Sequence, residues 1–127
     1  MKYAVKWFEL YTSDFNRAKK FYTEVFQCQL TDILTDNDRH SGMAYAVFPN
    51  AENGGGASGA LVRMDEAKPG IGGTLVYFDT EEINGELSRV EVNGGKIIRP
   101  KVAVGDLGFI ALIEDTEGNM IGLRSKK

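Results

Sequence analysis

The feature that most restricts the fold of this chain is a pattern of apolar residues that occurs twice. Phe15, Ala18, Phe21, Tyr22, Val25 and Phe26 recur at helical spacing, with Arg17, Lys19, Lys20 and Glu24 on the other face. That is the signature of an amphipathic helix. Roughly 65 residues further on, Ile83, Leu87 and Val90 repeat the stripe and align with Ala18, Tyr22 and Val25, a spacing long enough for a structural repeat. Each helix follows a β-rich run, at residues 2–12 and 74–78, and precedes three more strand-like segments. Those lie at about 28–35, 42–49 and 59–64 in the first half, and at about 96–102, 107–113 and 120–124 in the second.

Local signals set the boundaries. Ser13-Asp14 offers a side-chain oxygen to the open N–H groups of the first helical turn. Asp79 and Glu82 have capping-box spacing ahead of the second helix, and Asn93-Gly94-Gly95 supplies its stop. Lys68-Pro69-Gly70-Ile71-Gly72-Gly73 is the clearest internal boundary. Each half buries one helix on one face of a curled sheet, so the second face needs a partner, and the other half is the obvious one. The expectation is an α+β chain of two tandem βαβββ modules, about 1–67 and about 70–127, within one domain spanning 1–127.

At 127 residues the chain can bury a real core. Its formal charge of -3 argues against nucleic acid, whose binding relies on Lys and Arg at phosphates. Lys2, Lys6 and Glu9 interrupt the first ten residues, which excludes a signal-peptide core or membrane span there. Cys28 stands alone, so no intrachain disulfide forms and a cytoplasmic setting is the simplest reading. Cys28 itself is expected to act as a buried small hydrophobe.

Several strings, taken in order, carry a family resemblance. They are Trp7-Phe8-Glu9-Leu10, Thr12-Ser13-Asp14, the helix from Arg17 to Phe26, Gly73-Thr74-Leu75-Val76-Tyr77-Phe78-Asp79, Val92-Asn93-Gly94-Gly95-Lys96, and the run from Gly108 to the Asp115-Thr116-Glu117-Gly118-Asn119 hairpin. Over nearly its whole length the chain resembles the vicinal oxygen chelate superfamily (glyoxalase, bleomycin resistance, extradiol dioxygenase). The resemblance implies a side-open half-barrel around a cavity. In metal-dependent members it also implies ligands on cavity-facing strands, a His or Gln, a His and a Glu. The matching positions here are Trp7, Gly73 and Gly122, none of which can ligate through its side chain; a fourth would fall near residues 59–64. The residue count agrees, because a catalytic divalent site needs about three His, Glu, Asp or Cys ligands. The one histidine, His40, sits in the polar turn Asp38-Arg39-His40-Ser41 and reads as a surface residue. The expectation is a degenerate site with no metal and no cofactor.

What remains is an aromatic cleft. Strand alternation sends Trp7, Glu9 and Tyr11 to one face and Phe8, Leu10 and Thr12 to the other. Alignment on the helix caps turns the first set toward the cavity, with Leu75, Tyr77, Met120 and Arg124, and Tyr45 from the third strand. An apolar cleft with a few polar groups suits a small molecule, and Trp7 with the tyrosines can stack a flat or cationic ligand. Glu9 has two readings. Partly desolvated between Trp7 and Tyr11, it suits acid/base proton transfer; alternatively it is a structural ion pair, with Arg124 as partner, or a shallow wet position. Without a metal, a glyoxalase-type isomerisation lacks its Lewis acid.

Other candidates fall away. Gly54-Gly55-Gly56-Ala57-Ser58-Gly59 lacks the Gly-Lys-Ser/Thr ending of a phosphate loop. Ser13 and Ser58 have no His beside them, and the His40 next to Ser41 reads as a surface residue, so no serine nucleophile is expected at Ser13, Ser41 or Ser58. Two function classes follow: a metal-independent protein that binds or sequesters a small amphipathic ligand, or a glyoxalase-like lyase/isomerase using Glu9. A purely structural or regulatory dimer is a third, weaker possibility. Open sheet edges make homodimerisation a reasonable expectation.

Overall fold

A computed structural model of the chain describes residues 7–34, 43–49, 56–65, 67–72, 75–104 and 108–127. The first module contains β1 (Trp7–Tyr11), α1 (Phe15–Phe26), β2 (Thr31–Leu34), β3 (Ala44–Val47) and β4 (Ser58–Arg63). The second contains β5 (Tyr77–Asp79), α2 (Ile83–Val90) with a short 3₁₀ turn at Glu91–Asn93, β6 (Lys96–Ala103), β7 (Phe109–Glu114) and β8 (Met120–Ser125). Each module forms a four-stranded mixed sheet, in the orders β1-β4-β3-β2 and β5-β8-β7-β6. In both, the first strand runs parallel to the last and the other pairs are antiparallel. These are two tandem βαβββ modules in an α+β fold, and neither sheet closes on itself.

The repeated stripe is the core. Ala18, Tyr22 and Val25 of α1 and Ile83, Leu87 and Val90 of α2 are all buried. Asp14 caps α1 by accepting the Arg17 N–H at 3.0 Å. In α2 the cap is Glu82 rather than Asp79, and the expected capping box does not form. Asp79 is still paired in β5 opposite Arg124, so the helix begins beyond it, with Glu82 accepting the Asn84 N–H and a close contact from Lys101. The strand expected from residue 74 begins at Tyr77. Cys28 is half-buried rather than fully buried.

Tyr22 is the hub of the interior. Its ring packs with Phe21, Phe26, Phe48 and Phe78 at centroid distances of 5.2–6.0 Å. A fully buried hydroxyl needs a partner, and Tyr22 donates to Asp115 Oδ2 at 2.8 Å, across the two modules. Burial, and then the charge of Asp115, push the phenol well above its ordinary value. Asp115 also accepts the backbone N–H groups of Glu117 and Asn119, each at 2.8 Å.

The same turn reaches the start of α1. The Glu117 side chain has no exposed surface. It accepts the N–H groups of Ser13 and Asp14 at 2.9 and 2.8 Å and is gripped by the Arg17 guanidinium at 2.8 Å. Burial alone would raise the Glu117 carboxyl, but Arg17, the Asp14 and Ser13 amides and the Thr116 hydroxyl together bring it down to about 2. Asn119 completes the clamp, donating to the Tyr11 carbonyl and accepting the Gly70 N–H, both at 2.8 Å.

Two tests follow from this packing. Glu117→Gln is expected to lower unfolding stability by roughly 2 kcal/mol at neutral pH, since it removes the charged acceptor of several hydrogen bonds. The folded pKa lies below the ordinary 4.5, so this stabilisation is fully present above about 4.5 and is lost as pH falls toward about 2. Urea unfolding of both proteins across that range should show the gap closing; a gap independent of pH would refute the assignment. Gln27, exposed and left-handed at φ 51° where α1 ends, occupies a conformation that favours glycine. Gln27→Gly is therefore expected to raise stability by roughly 0.5–1 kcal/mol in the same assay.

Candidate ligand site

The face of β1 turned away from the helices carries Trp7, Glu9 and Tyr11, while Leu10 is buried and Phe8 packs against the core. Across the sheet, Glu9 pairs with Ala60 of β4, and Tyr11 lies in one row with Val62 of β4 and Tyr45 of β3. From that row the Tyr45 side chain reaches diagonally across β4 to Glu9. Tyr45 donates to Glu9 Oε2 in a very close contact, and Tyr11 donates to Oε1 at 3.0 Å. The Trp7 indole N–H donates to the Tyr45 hydroxyl at 3.2 Å, with the two rings nearly parallel at 12° and their centroids 6.4 Å apart.

Electrostatics match this geometry. Burial pushes the Tyr11 and Tyr45 phenols up, and the hydrogen bond to Glu9 and its charge push them further, although the Trp7 contact draws Tyr45 partly back. Both hydroxyls therefore remain protonated donors at neutral pH. Each carboxylate oxygen of Glu9 takes one of them and keeps acceptor capacity for another donor.

Beside this cluster, a cleft of about 260 Å³ opens between the modules, lined by Glu9, Tyr11, Lys68, Val76, Asn119 and Met120 among others. The structure thus brings Trp7, Glu9, Tyr11 and Tyr45 together, with Met120 across the cleft. Tyr77 and Arg124 form a separate group on the second sheet. The Tyr77 ring covers Gly122 so closely that a Cβ there would lie 2.3 Å from it. Arg124 reaches Asp79 at 3.5 Å rather than pairing with Glu9. Leu75 is half-buried, and its neighbour Val76 lines the cleft instead. Lys68, Val76 and Asn119 escape the strand-alternation argument. Only Asn119 carries a local signal, as the last residue of the Asp-x-x-Gly-Asn turn.

The donor set does not fit the metal site that the family resemblance implies. Trp7 and Gly122 offer no ligating atom, and Tyr77 fills the space that a side chain at 122 would enter. Gly73 and His40 lie outside the described residues. Among the described residues, no three His, Cys, Asp or Glu side chains gather into a group able to hold a metal.

The sequence pattern of the Glyoxalase/Bleomycin resistance protein/Dioxygenase superfamily matches residues 4–123. The chain belongs to that superfamily. Relatives named "Putative glyoxylase CFP32" in Mycobacterium bovis and Mycobacterium tuberculosis are 31% identical over 121 residues, which is 92% of this chain. The match spans only 43% of those curated relatives, less than half their length. Among solved structures, TnmS3, an antibiotic binding protein from Streptomyces sp. CB03234, superposes with a TM-score of 0.67 at 26% identity, covering 98% of this chain and 97% of that one. A glyoxalase I mutant from Zea mays superposes with a TM-score of 0.70 at 17% identity, covering 95% of this chain and 46% of that one, a likeness of fold. Among the described residues no helix is long and apolar enough to cross a membrane.

The hydrogen-bond cluster has a direct check. In Glu9→Gln the charge that helps raise Tyr11 and Tyr45 disappears, so both phenols should titrate closer to the ordinary value of 10.0, with the contribution of burial remaining. NMR of Cζ-labelled tyrosine follows each group. If neither resonance changes its titration, Glu9 does not hold the two phenols.

Proposed function

We propose that this chain binds a small amphipathic molecule in the cleft beside Trp7 and Tyr45, without a metal, and acts by sequestering or sensing it. One observation carries the reading: an aromatic wall, Trp7 on Tyr45, stands over a carboxylate fixed by two protonated phenols and facing an intermodule cleft. A flat ligand would stack on the indole, and an ammonium or hydroxyl group would use the acceptor capacity left on Glu9. Met120 adapts to irregular shapes. The likeness to TnmS3, described as an antibiotic binding protein, supports the binding role because it extends along both chains. Trp7, Tyr11, Tyr45 and Met120 are proposed as the main ligand contacts, with Leu75, Tyr77 and Arg124 flanking them. Homodimerisation through the open sheets and a cytoplasmic location belong to the same proposal.

A second reading, a glyoxalase-like lyase or isomerase with Glu9 as acid/base, is favoured by the mycobacterial relatives and by the placement of two proton-bearing phenols on one carboxylate. It rests on the same residues.

The test uses Trp7, the only tryptophan in the chain, as reporter. Titration with ethidium, a planar organic cation, is expected to quench its fluorescence saturably and identically with and without EDTA. Glu9→Gln should weaken binding about tenfold, as loss of one charge-assisted contact implies. Absence of saturable quenching would refute the binding reading. Quenching abolished by EDTA, together with a metal-induced rise in unfolding temperature, would favour a chelate enzyme.

A further inference from the structure

A second cavity lies on the other side of β1 and β5. Alternation turns Phe8 and Phe78 away from the cleft, and their rings meet edge-on at 5.5 Å and 87°. Phe48 packs on both, at 5.6 and 5.3 Å, and Phe26 lies 5.1 Å from Phe78. These four rings wall a cavity of about 220 Å³ at the seam between the modules. Gly59 lies beneath the Phe8 ring, where a Cβ would come within 2.6 Å of it, so the lack of a side chain there allows this placement.

The polar part of the wall is acidic. Its described residues include Asp79 and Glu86 but no Lys or Arg. The Glu86 side chain is only 15% exposed, and its ion-pair partner Arg89 stands 3.6 Å away, too far for a hydrogen bond. Arg89 instead commits its Nε to the Val25 carbonyl at 2.8 Å. Burial pushes the Glu86 carboxyl up, with its own amide and Arg89 offsetting this only in part. A largely desolvated carboxylate at the edge of four aromatic rings is an environment that attracts a cation, through Coulomb attraction and through the negative ring faces. A cavity of roughly 150 Å³ holds benzene, so this one has room for a single ring and a short charged arm.

We propose that this cavity is a second ligand site, separate from the cleft, for a small organic ammonium compound whose apolar body lies among Phe8, Phe26, Phe48 and Phe78 and whose ammonium meets Glu86.

Cys28, the only cysteine of the chain, is half-buried in the wall of this cavity and reports its occupancy. The experiment measures the rate at which N-ethylmaleimide alkylates Cys28 in the presence of benzylammonium or of benzyl alcohol, which has the same ring without the charge. Benzylammonium should slow alkylation saturably, and benzyl alcohol should need about tenfold higher concentration. Glu86→Gln should erase that difference, whereas Trp7→Phe with Glu9→Gln should leave it intact and so separate this site from the cleft. The proposal is overturned if benzylammonium gives no saturable protection, if the two compounds protect equally, or if the preference follows Glu9 instead of Glu86. The comparison of the two compounds on the unaltered protein decides the matter even where a variant folds poorly.

Discussion

The turn from Asp115 to Asn119 is the interaction on which the rest of the structure depends. Three of its five residues are polar and buried, and each is bonded to the first module: Asp115 to Tyr22, Glu117 to Ser13, Asp14 and Arg17, Asn119 to the Tyr11 carbonyl. Buried charge is tolerated only when fully paired, and here the pairing runs between modules. The turn therefore fixes where α1 sits against the second sheet. Through Asn119 it also fixes the linker at Gly70 and the start of β8 at Met120. The cleft takes its shape from this clamp.

β1 is the wall that the two cavities share. Successive residues point to opposite sides, so Glu9 and Tyr11 meet the cleft, with Trp7 on the same face of the strand, while Phe8 meets the aromatic cavity behind it. Its neighbour β4 supplies small residues on both faces, Ala60 beneath Glu9 and Gly59 beneath Phe8. This arrangement keeps a hydroxyl-rich carboxylate cluster on one side of the strand and a cavity walled mainly by aromatic rings on the other. A ligand on either side would press on the same strand.

Family membership explains the frame but leaves the chemistry to particular side chains. The fold is retained in a glyoxalase I at 17% identity, since the buried helical stripes and the sheet order tolerate wide substitution of apolar residues. Function on a shared fold resides in the site. Here Trp7 and Gly122 stand at positions where the resemblance implies ligands, and the Tyr77 ring covers Gly122. What occupies the region is a hydrogen-bonded aromatic cluster.

Much of the frame was legible in the residues. The stripe Ala18, Tyr22, Val25 and its return at Ile83, Leu87, Val90 are periodic, and periodicity is local; so are the Asp14 cap and the alternation along β1. The cap of α2 was not, because Asp79 and Glu82 both suit the spacing and only the pairing of Asp79 with Arg124 in the sheet leaves Glu82 to serve. The partner of Glu9 was not legible either. Arg124 offers the opposite charge, yet strand register places Tyr45 two strands away, across Val62 and within reach of Glu9, and sets Arg124 beside Asp79. Lys68, Val76 and the cavity behind Phe8 likewise join residues distant in sequence. Sequence by itself determined the modules, the buried faces and the aromatic character of β1, because each depends on spacing along one segment. Only the tertiary structure decided which groups touch, because contact across a sheet or between modules depends on register and on the buried turn that locks the two halves together.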